Sequence, residues 1–380
     1  MNHTILEADR LDRGQSVFGR HLKQPLMLGV FALNGSGSGG ICTLPSSFEM
    51  TWAHNLKIAQ MADAFGLELF MPLSRWIGFG GASNYAGDTF EPLTYMAGIA
   101  ASTKRVLTIV TLHVPFVHPV LIAKAISTID HISNGRAGIN MVMGWLKPEL
   151  ALFGLTPMST NERYAYGAEW LQIVRRLWSE QEPFDHDGAT FKLKGLISNP
   201  KPVQQRPPIV SAAMSDAGLA FACEHADLTF ASFQGYDQLE AHCANLRTKA
   251  KSIGNPDVGV VSLSLVICRE TEAEARAYHQ ALRDHSDLEA AANFAACSGM
   301  DLSVLTEAER DKALRDLSMN PGNATLIGTP SQVADQIEMM HARGVSALFV
   351  GFHDYLREFP FFHHRVMPLL KERGLRQPSE

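Results

Sequence analysis

Apolar and polar positions along this chain fall into two alternating patterns. Short, near-continuous apolar runs rich in branched side chains are separated by longer stretches in which apolar residues recur every three or four positions. The first pattern predicts strands covered on both faces, and the second predicts amphipathic helices. Eight runs qualify as strands: Pro25–Leu33, Leu67–Leu73, Val106–Leu112, Ala137–Met143, Pro208–Met214, Ala226–Ser232, Val258–Cys268 and Ala347–Phe352. Between them, Thr51–Phe65 places Trp52, Leu56, Ala59 and Ala62 on one helical face, and Ser331–Arg343 does the same with Val333, Ile337 and Met340. Pro330 before the second of these and Gly344 after it are helix start and stop signals.

Eight strand–helix alternations are the count of a single closed (β/α)8 barrel of the TIM type, and 380 residues is an ordinary length for one with insertions. A doubly wound sheet with extra strands is the main rival. The barrel is expected over 25–372, after an N-terminal arm at 1–24 and before a tail at 373–380. Two longer connections, at about 144–206 and 284–323, interrupt the alternation, and the first contains a helix over Asn161–Trp178. Long connections inside a compact domain commonly act as lids or accessory subdomains. Both are expected at the barrel mouth if they serve a site.

Composition narrows the classes. Hydrophobic residues make up 46% and charged residues 19%, enough apolar material for a large core. The net charge of -6, without a basic block, argues against nucleic acid as a partner. No apolar run reaches the roughly 18 residues that cross a bilayer. The opening MNHTILEADRLDRGQ has no apolar run behind its charges, so no secretory signal is expected. Five widely spaced cysteines without a CxxC pair suggest reduced thiols in a cytoplasmic protein, not a zinc ribbon or a disulfide framework.

In a barrel of this kind the site forms at the C-terminal ends of the strands. The second strand runs into Ser74 and Arg75, and the third ends at Thr111, Leu112 and His113. The fourth carries Asn140 and runs into GWLKPE, and the fifth leads to Ser215 at the start of a helix. There is no GxSxG elbow and no HExxH, and the pairs His113/His118 and His363/His364 match no common ligand spacing. Neither a hydrolase nor a metal site is expected. The run NGSGSGG over Asn34–Gly40 follows a strand but opens no helix, so it is expected to be a flexible loop over the mouth, not a phosphate-binding fingerprint. Ser215 reads either as a phosphate contact at a helix N-terminus or as a plain N-cap. Arg163 and Tyr164, near the start of the inserted helix, read either as a phosphate clamp or as a solvated surface pair. Thr111 and Asn140 lie on adjacent strands and can point into one mouth. A buried amide on an apolar strand must find partners or cost about 1–3 kcal/mol.

Several stretches together carry a resemblance: GFGG (Gly78–Gly81), FEPLTYMAGIAAST (Phe90–Thr103), ISTIDHISNGR (Ile126–Arg136), GINMVMGWLKPE up to Glu149, ERYAY (Glu162–Tyr166) and SDAGLAF (Ser215–Phe221). In this order they resemble the luciferase-like, two-component flavin monooxygenases, over nearly the whole chain from Leu26 to Leu370. The pyrimidine monooxygenase group is most similar. Dimethylsulfone and alkanesulfonate monooxygenases are similar too, the sulfone-oxidising members most of all in the tail. The resemblance implies a (β/α)8 barrel, reduced FMN as a dissociable co-substrate, O2 as oxidant and oxidation through a flavin-peroxide. Carried over motif by motif, FMN contacts fall on Ser74, Arg75, Asn140, Glu149, Arg163, Tyr164 and Ser215. The segment before Ser215 departs from the family in reading AAM where relatives commonly have glycine, and PLSRW departs at the end of the second strand.

On this reading Thr111, Asn140 and His113 are the candidates for catalysis. Thr111 and Asn140 would hold the ring and polarise the bound oxygen, and His113 would donate a proton or touch substrate. Phe31, Trp76, Phe79, Trp145 and Phe233 are candidates for the wall that keeps water out. No second dinucleotide-binding pattern is present, so reduced FMN is expected from a separate NAD(P)H:flavin reductase, and the family implies a homo-oligomer, dimer or tetramer. A small neutral substrate, such as a pyrimidine-like amide or another nitrogen heterocycle, fits a mouth with few arginines beyond Arg75 and Arg163. A sulfone or sulfonate is the alternative within the family. A deazaflavin-dependent hydride transfer or a non-catalytic flavin binder are the alternatives beyond it.

Overall fold

The computed structural model describes residues 12, 14–37, 39–212, 215–231, 233, 235–319 and 324–377. The arm at 1–11 and 13, Ser38 of NGSGSGG, Ala213 and Met214 of AAM, Ser232, Gln234, positions 320–323 of the second long connection and the tail end at 378–380 lie outside the described residues.

The strands are β1 Met27–Phe31, β2 Leu69–Met71, β3 Leu107–His113, β4 Ala137–Val142, β5 Phe184–Asp187, β6 Lys192–Leu196, β7 Ile209–Ser211, β8 Leu228–Phe230, β9 Gly259–Cys268, β10 Thr325–Gly328 and β11 Val345–Gly351. Each of the eight apolar runs contains or overlaps one of them. The pairing order is β10-β9-β11-β1-β2-β3-β4-β7-β8, with β9 also beside β8. This is the closed (β/α)8 barrel expected from the alternation, with β10 added outside the ring. β5 and β6 form a separate antiparallel pair, which the patterning did not single out. The chain divides into two compact units, one over Met1–Lys23, Pro92–Phe230 and Leu246–Gly259, the other over Gln24–Glu91, Ala231–Asn245 and Val260–Glu380.

In the unit containing β4, strands β3, β4 and β7 are parallel, with Thr111 beside Asn140 and Asn140 beside Val210. Every β3 residue is buried, as a two-sided apolar strand requires. The ISNGR stretch proves architectural. Asn134 caps the helix Pro119–Ser133 in the left-handed conformation, with φ 56°. The Arg136 guanidinium, 3% exposed, donates to the carbonyls of Ala100, Thr103, Val106 and Ser133 and to Thr103 Oγ1. One planar fork thereby satisfies carbonyls left open at two helix ends. In the first long connection, the β5–β6 pair is tied to the helix Thr160–Ser179 through Glu169, which accepts from the amides of Thr190 and Phe191 at 2.9 and 2.8 Å.

In the unit containing β1, strand β1 lies between β11 and β2. Gly29 permits this spacing, because a Cβ there would stand 2.6 Å from Leu69 Cβ and 2.7 Å from the Phe349 ring. The glycine-rich run, expected as a flexible loop, is packed closely at its described residues. Asn34 is fully buried, donates to the carbonyls of Leu73 and Phe90 and accepts from the Leu73 amide. Ser36 bonds the chain at Asn84, Ala86 and Asp88. Gly39 packs so closely that a Cβ would lie 2.4 Å from His353 Cα. At Gly39 the missing side chain is what allows this close backbone approach.

Candidate active site

Seven of the nine candidate residues belong to the unit containing β4. Side chains alternate along a strand, so Thr111 and His113 of β3 share one face with Asn140 of β4. The Asn140 amide Nδ2 donates to Thr111 Oγ1 at 3.1 Å, and the two residues are 2% and 3% exposed. Asn140 Oδ1 is buried and accepts no hydrogen bond among the described residues. The partner that a buried amide demands is therefore only half supplied. Because Thr111 Oγ1 already accepts from Asn140, its own O–H is directed elsewhere as a donor. One buried patch thus offers an acceptor and a donor side by side.

His113 closes β3. Its Nε2 stands 3.7 Å from Glu149 Oε2, with side-chain exposures of 2% and 0%. The imidazole stacks on Phe116 at 4.9 Å and 14°, and Phe116 stacks on Phe153 at 4.1 Å and 10°. Phe153 caps the C-terminus of the helix Lys147–Leu152, whose first turn carries Glu149. The chain enters that helix through Gly144, at φ 73°. Arg163 closes this turn: Nη1 donates to the Gly144 carbonyl at 3.1 Å and Nη2 to Thr160 Oγ1 at 3.3 Å. The guanidinium is half-buried and engaged, so it is not a solvated surface group.

Arg163 and Tyr164 stand where they do because Ser159 and Glu162 form a capping box that starts the helix Thr160–Ser179. Tyr164 lies 5.6 Å from Phe221, on the helix Asp216–His225. Gly167 admits Met143 from the end of β4, since a Cβ there would meet its sulfur at 2.6 Å. Ser215 is the N-cap of its helix, Oγ accepting from the Gly218 amide at 3.1 Å. The plain N-cap reading thus holds for its oxygen, while its hydroxyl hydrogen can still be donated.

Ser74 and Arg75 lie in the other unit. Ser74 is buried, and the segment entering it is held by the Asn34 clasp at Leu73. Arg75 lies with its guanidinium carbon 5.3 Å from the Phe79 ring, and its carbonyl accepts from Thr89 Oγ1. Of the proposed wall residues, Phe79 and Phe233 are buried, Phe31 and Trp145 are half-buried, and Trp76 is 44% exposed.

Two groups in this unit escaped the sequence reading. Asp287 accepts from the amides of Ser83 at 2.6 Å and Ala290 at 3.1 Å, fastening the loop after GFGG to the helix Leu288–Cys297. Burial pushes its carboxyl up, but these amides outweigh burial and hold it below the ordinary carboxylate value. The signal was present in an aspartate immediately preceding an alanine-rich helical stretch. His353 stands between Tyr278 Oη at 2.8 Å and the Leu44 carbonyl at 3.0 Å, and burial lowers its pKa. Burial pushes Tyr278 up to about 12, and the nearby Glu358 adds to this. No group of three or more His, Cys, Asp or Glu suited to a metal occurs among the described residues.

Comparison with known proteins adds a lineage to this geometry. The family described as luciferase-like monooxygenase matches residues 27–347. The pyrimidine monooxygenase RutA of Acinetobacter baylyi (strain ATCC 33305 / BD413 / ADP1) is 31% identical over 359 residues, covering 92% of this chain and 95% of that protein. Among solved structures, riboflavin lyase RcaE, determined with modified FMN and riboflavin, superposes with a TM-score of 0.84 at 21% identity, over 93% of each chain. Long-chain alkane monooxygenase LadA superposes at 0.82, with 21% identity and 93% coverage of each chain.

Proposed function

The chain belongs to the luciferase-like monooxygenase family and is a flavin-dependent monooxygenase, and from that premise we propose that it takes up reduced FMN as a dissociable co-substrate and uses O2 to oxidise a small neutral substrate, an amide-bearing heterocycle of the pyrimidine kind. The observation that carries the reading is the buried Oδ1 of Asn140, without a hydrogen-bond partner among the described residues, beside the Thr111 hydroxyl. A flavin ring edge presents N–H donors and carbonyl acceptors in alternation, the complement of this acceptor–donor pair. Bound reduced FMN supplies the two electrons that activate O2.

The chain's own residues would do the rest. Asn140 Oδ1 would accept from the ring, and Thr111 Oγ1 would hold a proton toward the oxygen site. Glu149, Arg163, Tyr164 and Ser215 would complete the FMN contacts of the unit containing β4, and Ser74 and Arg75 stay FMN-contact candidates by family motif. The stack of His113, Phe116 and Phe153 would supply apolar cover against water at the patch. A neutral substrate is supported by the scarcity of arginines in the mouth loops beyond Arg75 and Arg163, both of which this reading assigns to FMN. The 31% identity to proteins named pyrimidine monooxygenase supports the heterocycle. Reduced FMN would come from a separate NAD(P)H:flavin reductase, to a homo-oligomer in the cytoplasm. The five free cysteines fit a reducing compartment, and no helix among the described residues is long and apolar enough to cross a membrane.

The test mixes the protein with reduced FMN anaerobically, then adds 18O2 in a stopped-flow instrument with uracil, dimethylsulfone or an alkanesulfonate present. Bound FMN should reoxidise with kinetics distinct from free FMN, and 18O should enter the uracil product. Label in a sulfonate product would transfer the substrate assignment to the alternative. Failure to bind reduced FMN, with binding of a reduced deazaflavin and no O2 dependence, would overturn the reading.

A further inference from the structure

We propose that His113 is a positioning residue for Glu149: its imidazole holds the buried carboxylate, and the short helix that carries it, in the orientation that FMN binding requires. This rests on the FMN reading above and adds to it a residue that acts through another.

Three observations converge. The imidazole Nε2 faces Glu149 Oε2 at 3.7 Å, within ion-pair range and beyond a direct hydrogen bond. Neither side chain has appreciable access to water. A carboxylate removed from water carries a penalty that only opposite charge or donated hydrogen bonds offset, and an imidazole facing it at this distance can supply the charge or, after a small approach, the hydrogen bond. The third observation is the stack: His113 lies on Phe116, Phe116 on Phe153, and Phe153 caps the helix bearing Glu149. His113 therefore touches that helix by two routes, through its nitrogen at the first turn and through stacked rings at the last. A phenylalanine would serve the second route alone. With its ring on Phe116 and its Nε2 toward Glu149, His113 has a place that the proton-donor role proposed from its strand-end position does not explain.

The two routes separate by substitution. His113→Phe keeps the stack and removes the nitrogens, His113→Gln restores an N–H donor, and Glu149→Gln removes the charge. Dissociation constants for reduced FMN are measured anaerobically by fluorescence on each variant and on the double variant His113→Phe/Glu149→Gln. His113→Phe should weaken binding about tenfold, equivalent to about 1.4 kcal/mol, and His113→Gln should recover most of it. The double variant should be no weaker than Glu149→Gln alone, because the histidine acts only through that carboxylate. Without FMN, the imidazole 15N resonance of His113, assigned by its loss in His113→Gln, should shift in Glu149→Gln. Parental affinity in His113→Phe, multiplicative losses in the double variant, or an unmoved resonance would each overturn the proposal. If the parent protein binds no FMN, the FMN reading falls and the positioning role falls with it.

Discussion

Asn140→Leu separates a functional asparagine from a structural one, because the two readings predict opposite results. The substitution roughly conserves volume and removes both amide atoms. In the protein without flavin, it deletes one hydrogen bond, Nδ2 to Thr111 Oγ1 at 3.1 Å, with a net worth of about 1 kcal/mol. It also deletes a buried oxygen without a partner among the described residues, whose desolvation costs about 1–3 kcal/mol. The balance runs from about zero to a gain of about 2 kcal/mol. The thermal midpoint should therefore stay level or rise by about 1–3 °C. With flavin the sign reverses. The ring loses an acceptor worth about 1–3 kcal/mol, so the dissociation constant for reduced FMN should rise about 5- to 150-fold. Differential scanning fluorimetry and anaerobic fluorescence titration read the two effects on one preparation. A midpoint lowered by several degrees with unchanged FMN affinity would refute the reasoning, since Asn140 would then be a satisfied structural amide.

Three further outcomes follow from the same geometry. Burial alone would raise the Glu169 pKa, but the amides of Phe191 and Thr190 and the His186 imidazole overcome this and hold it at about 2. A folded pKa below the ordinary 4.5 stabilises fully above that value and is lost as pH falls from about 4.5 through about 2. Amide shifts of Thr190 and Phe191 should titrate in that window and lose the response in Glu169→Gln, and a transition near 4.5 in the parent would contradict this. Asp287→Ala removes an N-cap and the Ser83 clasp, and should cost about 1–2 kcal/mol and speed proteolysis of the loop after GFGG. Equal cleavage rates in parent and variant would refute the clasp. Gly39→Ala forces a Cβ to within 2.4 Å of His353 Cα and 2.9 Å of the Phe352 carbonyl, and backbone must move. A loss of about 1–3 kcal/mol is expected in chemical unfolding, and parental stability would restore the flexible-loop reading.

The strands were legible because periodicity is local. An apolar run buried on both faces announces itself within a few residues, and all eight such runs became barrel strands. Their ends were less legible. Val106–Leu112 became Leu107–His113, because the ladder to β4 continues past the apolar run to His113 beside Val142. The β5–β6 pair was missed because its stability comes from Glu169 on a helix and not from its own apolar pattern. The positions of the site candidates on strand ends and helix starts were likewise local facts, readable once the barrel was assumed.

By itself, the sequence determined which residue types would stand on those strands and at those helix starts, and that Asn140 would be a buried amide in need of partners. Tertiary structure alone decided who the partners were. Thr111 answers the Asn140 nitrogen from a strand 29 residues away, and no described group answers the oxygen. Arg163 closes the Gly144 turn, and Arg136, which looked like part of a functional motif, is absorbed by helix-end carbonyls. Glu149 is marked in the sequence only by the GWLKPE resemblance, and the structure buries it fully against His113. The glycine run reads as loose chain until the backbone of His353 is found 2.4 Å from where a side chain would begin. In each case a short-range pattern sets what a residue can do, while long-range packing sets what it meets.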